Sequence, residues 1–355
     1  MYMNASLAPI LPSDTLTEAS VEEALLTLYS GRSLGRAEAE RLFTELVEGR
    51  LSEPAIAAML VALRLKGETA DELIGAARAL RAADADFERP DYLFADTCGT
   101  GGDGSGTINV STAVAFVAAA AGLPVAKHGN RSITSRCGSA DVLEHLGAKL
   151  DISAERSRRS LDQTGICFLF APLYHPGLRH AGPVRKALKV RTIMNVLGPC
   201  LNPAEPPVQL LGVADPRLLR PVAETLAALG LDRALVVHGS GLDEVALHGP
   251  TRAVRLRGGS FDEIEITPEE AGLAGAPVSA LKGGGPEENA QRLKALLLGY
   301  GTSAEAQAVA LNAGALLMTA GLASDLKEGT ATATDVLASG AAYQRLEAFV
   351  EASRG

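Results

Sequence analysis

Residues 96–112 read DTCGTGGDGSGTINVST. A short apolar run, RPDYLFADTCG (89–99), leads into this segment, and a helical pattern, STAVAFVAAAAG (111–122), leaves it. Five glycines lie between Gly99 and Gly106, with Asp103 among them. A strand, a glycine-rich turn and a helix in that order let backbone approach a ligand closely and aim the helix N-terminus at it. Gly99, Gly101 and Gly104 satisfy G-x-G-x-x-G, but SGTINV separates them from the helix. Lys127-His128 stand where a dinucleotide fold needs an acid for ribose hydroxyls. The Walker pattern fails too, because Ser105-Gly106 replace its Lys-Ser/Thr. What remains is a phosphate or pyrophosphate cradle, with Asn109, Ser111 and Thr112 as side-chain donors. Ser111 or Thr112 is also placed to cap the helix.

Outward from this loop the chain reads as an α/β protein. Strand-like runs recur at LPVAKHG (123–129), ICFLFAP (166–172), VQLLGVA (208–214) and ALVVHG (234–239). Weaker ones lie at AKLDI (148–152), VALHG (245–249) and AVRLRGG (253–259). Helical patterns separate several of them, which argues for a mostly parallel central sheet flanked by helices. Three C-terminal helices are expected, at 286–299, 303–321 and 332–352. The N-terminal part differs in texture. Residues 1–16 are an aperiodic tail, and 17–87 hold four helices. Their signals are a Ser20/Glu23 capping box, a Ser52 cap with Pro54, and a Thr69/Glu72 box, with Gly31 and Gly67 as stops. The expected organisation is a small helical domain at 17–87, joined by about 174–203, and a larger α/β domain made of 88–173 and 204–355.

Composition narrows the function. The chain has 355 residues, 47% of them hydrophobic, no Trp, and a net charge of −9. The acidic balance makes a nucleic-acid partner a poor expectation. No Lys or Arg precedes Arg32, and the longest apolar stretch is too short to span a bilayer, so a cytoplasmic location without membrane attachment is expected. The four cysteines form no CxxC and read as free thiols.

Three further constellations stand out. The loop after the second strand, KHGNRSITSRCGS (127–139), is dense in donors and would share a crevice with the glycine loop at the strand ends. Residues 163–204 contain no Asp or Glu but hold Arg179, His180, Arg185, Lys186, Lys189 and Arg191. Such a cluster suits a substrate carboxylate, nucleic acid, or a solvated helix face. The Asp243-Glu244 pair in HGSGLDEVALHG (238–249) offers hard oxygen ligands for Mg²⁺ beside a pyrophosphate.

GTGGDGSGTINVST (99–112), KHGNRSITSRCGSADVLEHLG (127–147), the run from Phe168 to Ala204, and GLDEV (241–245) together resemble the anthranilate phosphoribosyltransferase family. The resemblance runs from about residue 18 to 345. It implies a helical domain and a larger α/β domain, a homodimer formed through the helical domains, and transfer of a phosphoribosyl group to anthranilate in tryptophan biosynthesis. It implies that Gly99, Gly102, Asp103, Thr107, Asn109, Val110, Ser111 and Thr112 hold phosphoribosyl pyrophosphate. Lys127, His128, Gly129, Asn130, Arg131, Ser132, Ile133, Thr134, Ser135 and Ser139 would complete that site. Gly99, His128, Asn130, His175 and Arg185 would face anthranilate, Arg185 on its carboxylate. Ser111, Asp243 and Glu244 would ligate Mg²⁺, two ions per subunit, and Lys127, Asp243 and Glu244 would carry the catalytic load. Cys137, Met194 and Cys200-Leu201 depart from the family pattern at positions that are not matched ligands. Two relatives of the fold compete. A pyrimidine nucleoside phosphorylase would show Lys-x-Ser-Gly-Arg-Gly, which is absent from the sequence. A non-catalytic nucleic-acid-binding relative fits poorly with the net charge and with Arg185, Asp243 and Glu244 in place.

Overall fold

The computed structural model describes residues 18–132 and 136–355. The chain opens with four helices: α1 (Glu18–Tyr29), α2 (Arg36–Val47), α3 (Glu53–Lys66) and α4 (Ala70–Ala82). Local chemistry sets most of these ends. Ser52 Oγ accepts from Ala55 N at 3.4 Å, and Thr69 and Glu72 cap each other reciprocally. The buried Glu72 carboxylate also takes Leu34 N and Lys66 Nζ, at 2.9 and 2.8 Å, which ties three segments of the bundle together. Gly75 lets α4 lie directly on α2, since a side chain there would strike the Arg36 carbonyl. The expected Ser20/Glu23 box is not the start of the first helix. That helix begins at Glu18, so Ser20 lies inside its first turn.

The α/β part follows as β1 (Ala95–Gly99), α5 (Val110–Ala120), β2 (Val125–Gly129), α6 (Ser139–His145), α7 (Ala154–Thr164) and β3 (Ile166–Phe170). After β3 the chain leaves the sheet through α8 (Ala171–Tyr174), a 3-10 turn at Pro176–His180, α9 (Gly182–Leu188) and α10 (Ile193–Cys200). It returns as β4 (Val208–Gly212), α11 (Leu219–Ala228), β5 (Arg233–Gly239) and the hairpin β6 (Thr251–Arg257) and β7 (Ser260–Ile266). Helices α12 (Pro286–Leu297), α13 (Ser303–Ala320), α14 (Leu326–Ser339) and α15 (Ala341–Arg354) close the chain.

The sheet order is β3-β2-β1-β4-β5-β6-β7. Strands β3 to β5 of that order run parallel, and β6 and β7 add antiparallel. The chain winds outward from β1 on one side and, after the excursion, from β4 on the other. The boundary between β1 and β4 is therefore the topological switch point, where open α/β sheets bind ligands. Both sheet faces are covered. Leu210, Leu235 and Val237 pack with α5 and α13, whereas Leu211, Ala234 and Val236 share a core with α11, α10 and the N-terminal helices. Ala181, Val184, Ile193 and Leu197 of the excursion lie in that same core.

Several expectations are corrected. AKLDI and VALHG are not strands. Asn312 of α13 takes the place of a strand partner for the second, accepting from Val245 N at 2.8 Å and donating to Val245 O at 2.9 Å. Strand β7, SFDEIEI, escaped the sequence reading because it is a mostly exposed outer strand rich in acids. Helix α7 escaped it because its sequence is strongly polar and buries mainly Ser157, Ser160, Leu161 and Thr164. The 332–352 run is two helices, broken at Gly340 with φ +72°. No helix among the described residues is long and apolar enough to cross a membrane.

Candidate active site

β1 and β4 end in register at Gly99 and Gly212. A side chain on Gly212 would strike the Asp243 backbone, and one on Gly99 would strike the Asp243 carboxylate. Two bare strand ends thus let the Gly241–Val245 turn fold over the switch point. The Asn312 bonds hold that turn from behind.

The glycine loop leaves β1 with Gly101, Gly102, Gly104 and Gly106 all at positive φ, between +63° and +76°. Gly101 N donates to Asp243 Oδ2 at 2.6 Å. Asp103 folds onto its own loop, accepting from Ser105 N and Oγ at 3.0 and 2.9 Å. Thr107 bridges to Lys282, so the 281–285 segment runs alongside the loop. Helix α5 starts at Val110 with Asn109 as its cap residue, and the Asn109 side chain makes no capping bond. Ser111 and Thr112 lie in the first turn, so neither caps the helix. The Thr112 hydroxyl is buried without a partner among the described residues. The first-turn N–H groups of α5 therefore carry the partial positive charge of a helix N-terminus with no side-chain acceptor at the cap.

Lys127 is 3% exposed, and its Nζ donates to Thr97 O at 2.5 Å and Ser111 Oγ at 3.3 Å. The Ser111 N–H beside the Glu244 carboxylate favours its ionised form, against the larger effect of burial. Burial, with Asp103 beside it, pushes the Asp243 carboxyl up to about 7. Burial next to Asp243 pushes Glu244 well above the carboxylate range. Asp243 and Glu244 therefore crowd one mouth beside Asp103 and resist ionising together. A divalent cation relieves such crowding. Among the described residues no cluster of three or more His, Cys, Asp or Glu forms a closed metal cage. Mg²⁺ suits this donor set, because it takes one or two carboxylates and completes its shell with waters and substrate phosphates.

The 127–139 loop is brought to the same mouth only in part. Ser139 Oγ packs on Gly129 and donates to Asn130 O at 3.4 Å. The Asn130 amide oxygen accepts from Arg131 N at 2.8 Å. Arg131 itself is engaged elsewhere, forked onto Glu144 and lying over the Phe170 ring at 4.6 Å. Ser132 N donates to Asp141 at 2.9 Å. Val110 is buried in the core, so only its backbone can face a ligand. Ile133, Thr134 and Ser135 lie outside the described residues.

His128 and His175 are both buried and meet edge to face, their Nε2 atoms 2.9 Å apart. His175 Nδ1 lies 2.5 Å from Asp84 Oδ1. Burial beside His175 holds the His128 imidazole well below its ordinary pKa. Arg185 on α9 is half-buried, and its guanidinium makes no hydrogen bond or ion pair among the described residues. Burial alone lowers its pKa.

The sequence reading missed four participants. Asp96 is fully buried at the root of the loop and accepts from Thr97 N, His128 N and Gln209 Nε2. Asp84 holds His175. Asn289 accepts from Gly284 N and donates to Asn109 Oδ1 at 3.0 Å, and Asn109 in turn donates to Cys137 O. Arg191 reaches the glycine loop. Only Arg191 had left a signal, as one cation of an acid-free run. The others act through contacts between segments far apart in sequence.

A glycine-rich loop and an acidic pair at a switch point, flanked by a helical bundle, are the frame of a glycosyl transferase. The Glycosyl transferase family a/b domain matches residues 91–343, and that family's helical bundle domain matches 22–83. The chain belongs to the anthranilate phosphoribosyltransferase family. It is 60% identical over 327 residues to the Sorangium cellulosum anthranilate phosphoribosyltransferase, covering 92% of this chain and 94% of that one. It is 55% identical to the Aeromonas salmonicida enzyme of the same name, covering 90% and 95%. The Thermus thermophilus anthranilate phosphoribosyltransferase structure matches with a TM-score of 0.88 at 47% identity, over 95% of this chain and 99% of that one. The Saccharomyces cerevisiae enzyme in complex with PRPP and Mg matches with a TM-score of 0.87 at 27% identity, covering 95% and 99%.

Proposed function

We propose that this chain transfers the 5-phosphoribosyl group of phosphoribosyl pyrophosphate (PRPP) to the amino nitrogen of anthranilate and releases pyrophosphate, a step of tryptophan biosynthesis. One observation carries the reading: the glycine loop, buried Lys127, Asp243 and Glu244 converge at one switch point within a chain of this family.

Gly99, Gly102, Asp103, Thr107, the Asn109–Thr112 turn and the loop from Lys127 to Ser139 form the PRPP site in this reading. Ser111, Asp243 and Glu244 would hold Mg²⁺, two ions per subunit. Held there, Mg²⁺ would supply charge neutralisation for the departing pyrophosphate. Lys127 adds a buried positive charge at the same end, and helix N–H groups add oriented dipoles. The aniline nitrogen is neutral near pH 7, so no strong base is needed. The protein's main task is to hold nitrogen and C1′ in line. The unpaired guanidinium of Arg185 supports its assignment to the anthranilate carboxylate. Asn130, His128 and His175 line the aromatic ring's approach, with the two histidines acting as a buried wall.

The helical unit in this reading comprises 17–87 with about 174–203, supported by the core that Val184, Ile193 and Leu197 share with the bundle. It forms the homodimer interface. Leu26 and Tyr29 on α1 are 65% and 51% exposed, and Leu65 on α3 is 83% exposed, an apolar surface that a second copy would cover. The enzyme works in the cytoplasm. The decisive experiment follows anthranilate fluorescence with purified protein, PRPP and Mg²⁺. Loss of signal that requires all three supports the reading. An unchanged signal with active-site integrity shown by PRPP binding would mean a different acceptor.

A further inference from the structure

Arg191 lies in the short link between α9 and α10, and both flanks fix its place. Lys189 ends α9 in the left-handed region at φ +52°. Thr192 N donates to Asn195 Oδ1 at 3.1 Å, which fixes the start of α10. From this link the guanidinium crosses to the glycine loop. Nη1 donates to Gly101 O, and Nη2 donates to Thr100 O at 3.2 Å. Gly102 leaves the room for it, since any side chain there would collide with Arg191 Nη1.

The geometry of the trans peptide gives this contact a consequence. In each planar unit the C=O and the following N–H point in opposite directions. Fastening the Thr100 and Gly101 carbonyls to Arg191 therefore turns the Gly101 and Gly102 N–H groups to the other side. The Gly101 N–H is indeed aimed at Asp243 Oδ2. The Gly101 N–H is thereby committed to Asp243, and the Gly102 N–H of the next peptide unit is turned to that same side, where an anion can meet it. The guanidinium is half-buried and no carboxylate pairs with it among the described residues. Asp243 and Asp103 are its strongest attractive charges, acting from a distance.

We infer that Arg191 is a positioning residue for the pyrophosphate of PRPP: it holds two peptide units of the glycine loop so that the Gly101 N–H secures Asp243 and the Gly102 N–H faces the anion. Because α9 and α10 pack in the core of the bundle, Arg191 also ties the shape of the cradle to the seating of the helical unit. The inference rests on the glycine loop being the PRPP site, and the test separates the two.

Steady-state kinetics are measured for the wild type, Arg191→Ala, Arg191→Lys and a cradle control, Ser111→Ala. Arg191→Ala is expected to raise the PRPP KM at least tenfold, leaving the anthranilate KM within twofold and the melting temperature within a few degrees. Arg191→Lys recovers little, because an ammonium cannot fork two carbonyls. Millimolar guanidinium restores part of the lost PRPP affinity to Arg191→Ala and none to Ser111→Ala. The inference is overturned if the Ser111→Ala control raises the PRPP KM while Arg191→Ala leaves it unchanged. It is equally overturned if Arg191→Ala raises both KM values together and guanidinium restores neither. An unchanged PRPP KM in Ser111→Ala would instead remove the cradle assignment, and the inference with it.

Discussion

The Asp243 carboxylate lies where a side chain on Gly99 would stand. Gly99 is thus needed for what it leaves empty and not for a left-handed turn. Gly212 does the same for the Asp243 backbone from the neighbouring strand. The two contacts differ in hardness. Alanine at 99 meets the end of a side chain that can rotate, whereas alanine at 212 meets main chain. Gly99→Ala should therefore fold normally, with activity at least tenfold down and a raised Mg²⁺ half-saturation. Gly212→Ala should lose both activity and stability, by about 1–3 kcal/mol, as overpacked sites do. Mg²⁺ titrations of rate and denaturant unfolding of both variants check this.

The crowded carboxylates set a pH and metal dependence. Raised pKa values mean that the metal-free native state holds protons that the unfolded chain releases near pH 4. Native stability then falls as pH rises from about 4 towards 7 through these groups. Asp243→Asn should raise the melting temperature of the metal-free protein by a few degrees at pH 8 and by much less near pH 4. The same variant should be at least a thousandfold less active. Mg²⁺ should stabilise the wild type at pH 8 by mass action and leave the variant nearly unmoved. Scanning calorimetry at both pH values, with and without Mg²⁺, gives the answer.

Legibility in the sequence followed the range of the interactions. Capping by Ser52 and by Thr69 with Glu72 acts within four residues, and both held. The glycine loop announced itself because positive φ at Gly101, Gly102, Gly104 and Gly106 demands a residue type. The acid-rich β7 and the polar α7 lack the apolar period by which strands and helices are read. They are held instead by the hairpin register with β6 and by packing against β3 and α15. Asp84, Arg191 and Asn289 act across 91, 90 and 180 positions respectively, and no local pattern encodes such a meeting. The resemblance to the family covered the cradle and the acidic pair, but not the residues that brace them.

Arg185 carries a prediction about specificity. Its guanidinium is half-buried with no acidic partner among the described residues, which is costly unless a ligand supplies the anion. Arg185→Ala should raise the anthranilate KM by about a hundredfold or more, as expected for a lost charge-assisted fork of roughly 3 kcal/mol. The PRPP KM should stay within twofold. Arg185→Lys should recover only part, since a point charge replaces a planar fork. Aniline, which lacks the carboxylate, should be used equally poorly by wild type and Arg185→Ala. A clear preference of the wild type for aniline over the variant would place Arg185 on the ring or the nucleotide instead.

The His128–His175–Asp84 chain predicts an acid-sensitive fold. Burial holds His128 neutral, with His175 against its Nε2 and Lys127 as the adjoining cation. The unfolded chain takes a proton on that imidazole near pH 6.5, while the native state does not. Below pH 6.5 the unfolded state binds more protons, so stability is lost as pH falls from there. Asp84 acts in the opposite sense, because burial raises its carboxyl and the native state gains stability as it takes a proton. Comparing His128→Asn with the wild type isolates the imidazole from that background. The variant should be less stable at pH 8, through the lost packing and hydrogen bond, and should lose less stability between pH 6.5 and 5. Urea midpoints at five pH values across that range measure both slopes, and parallel slopes would show that His128 titrates alike in the native and unfolded states.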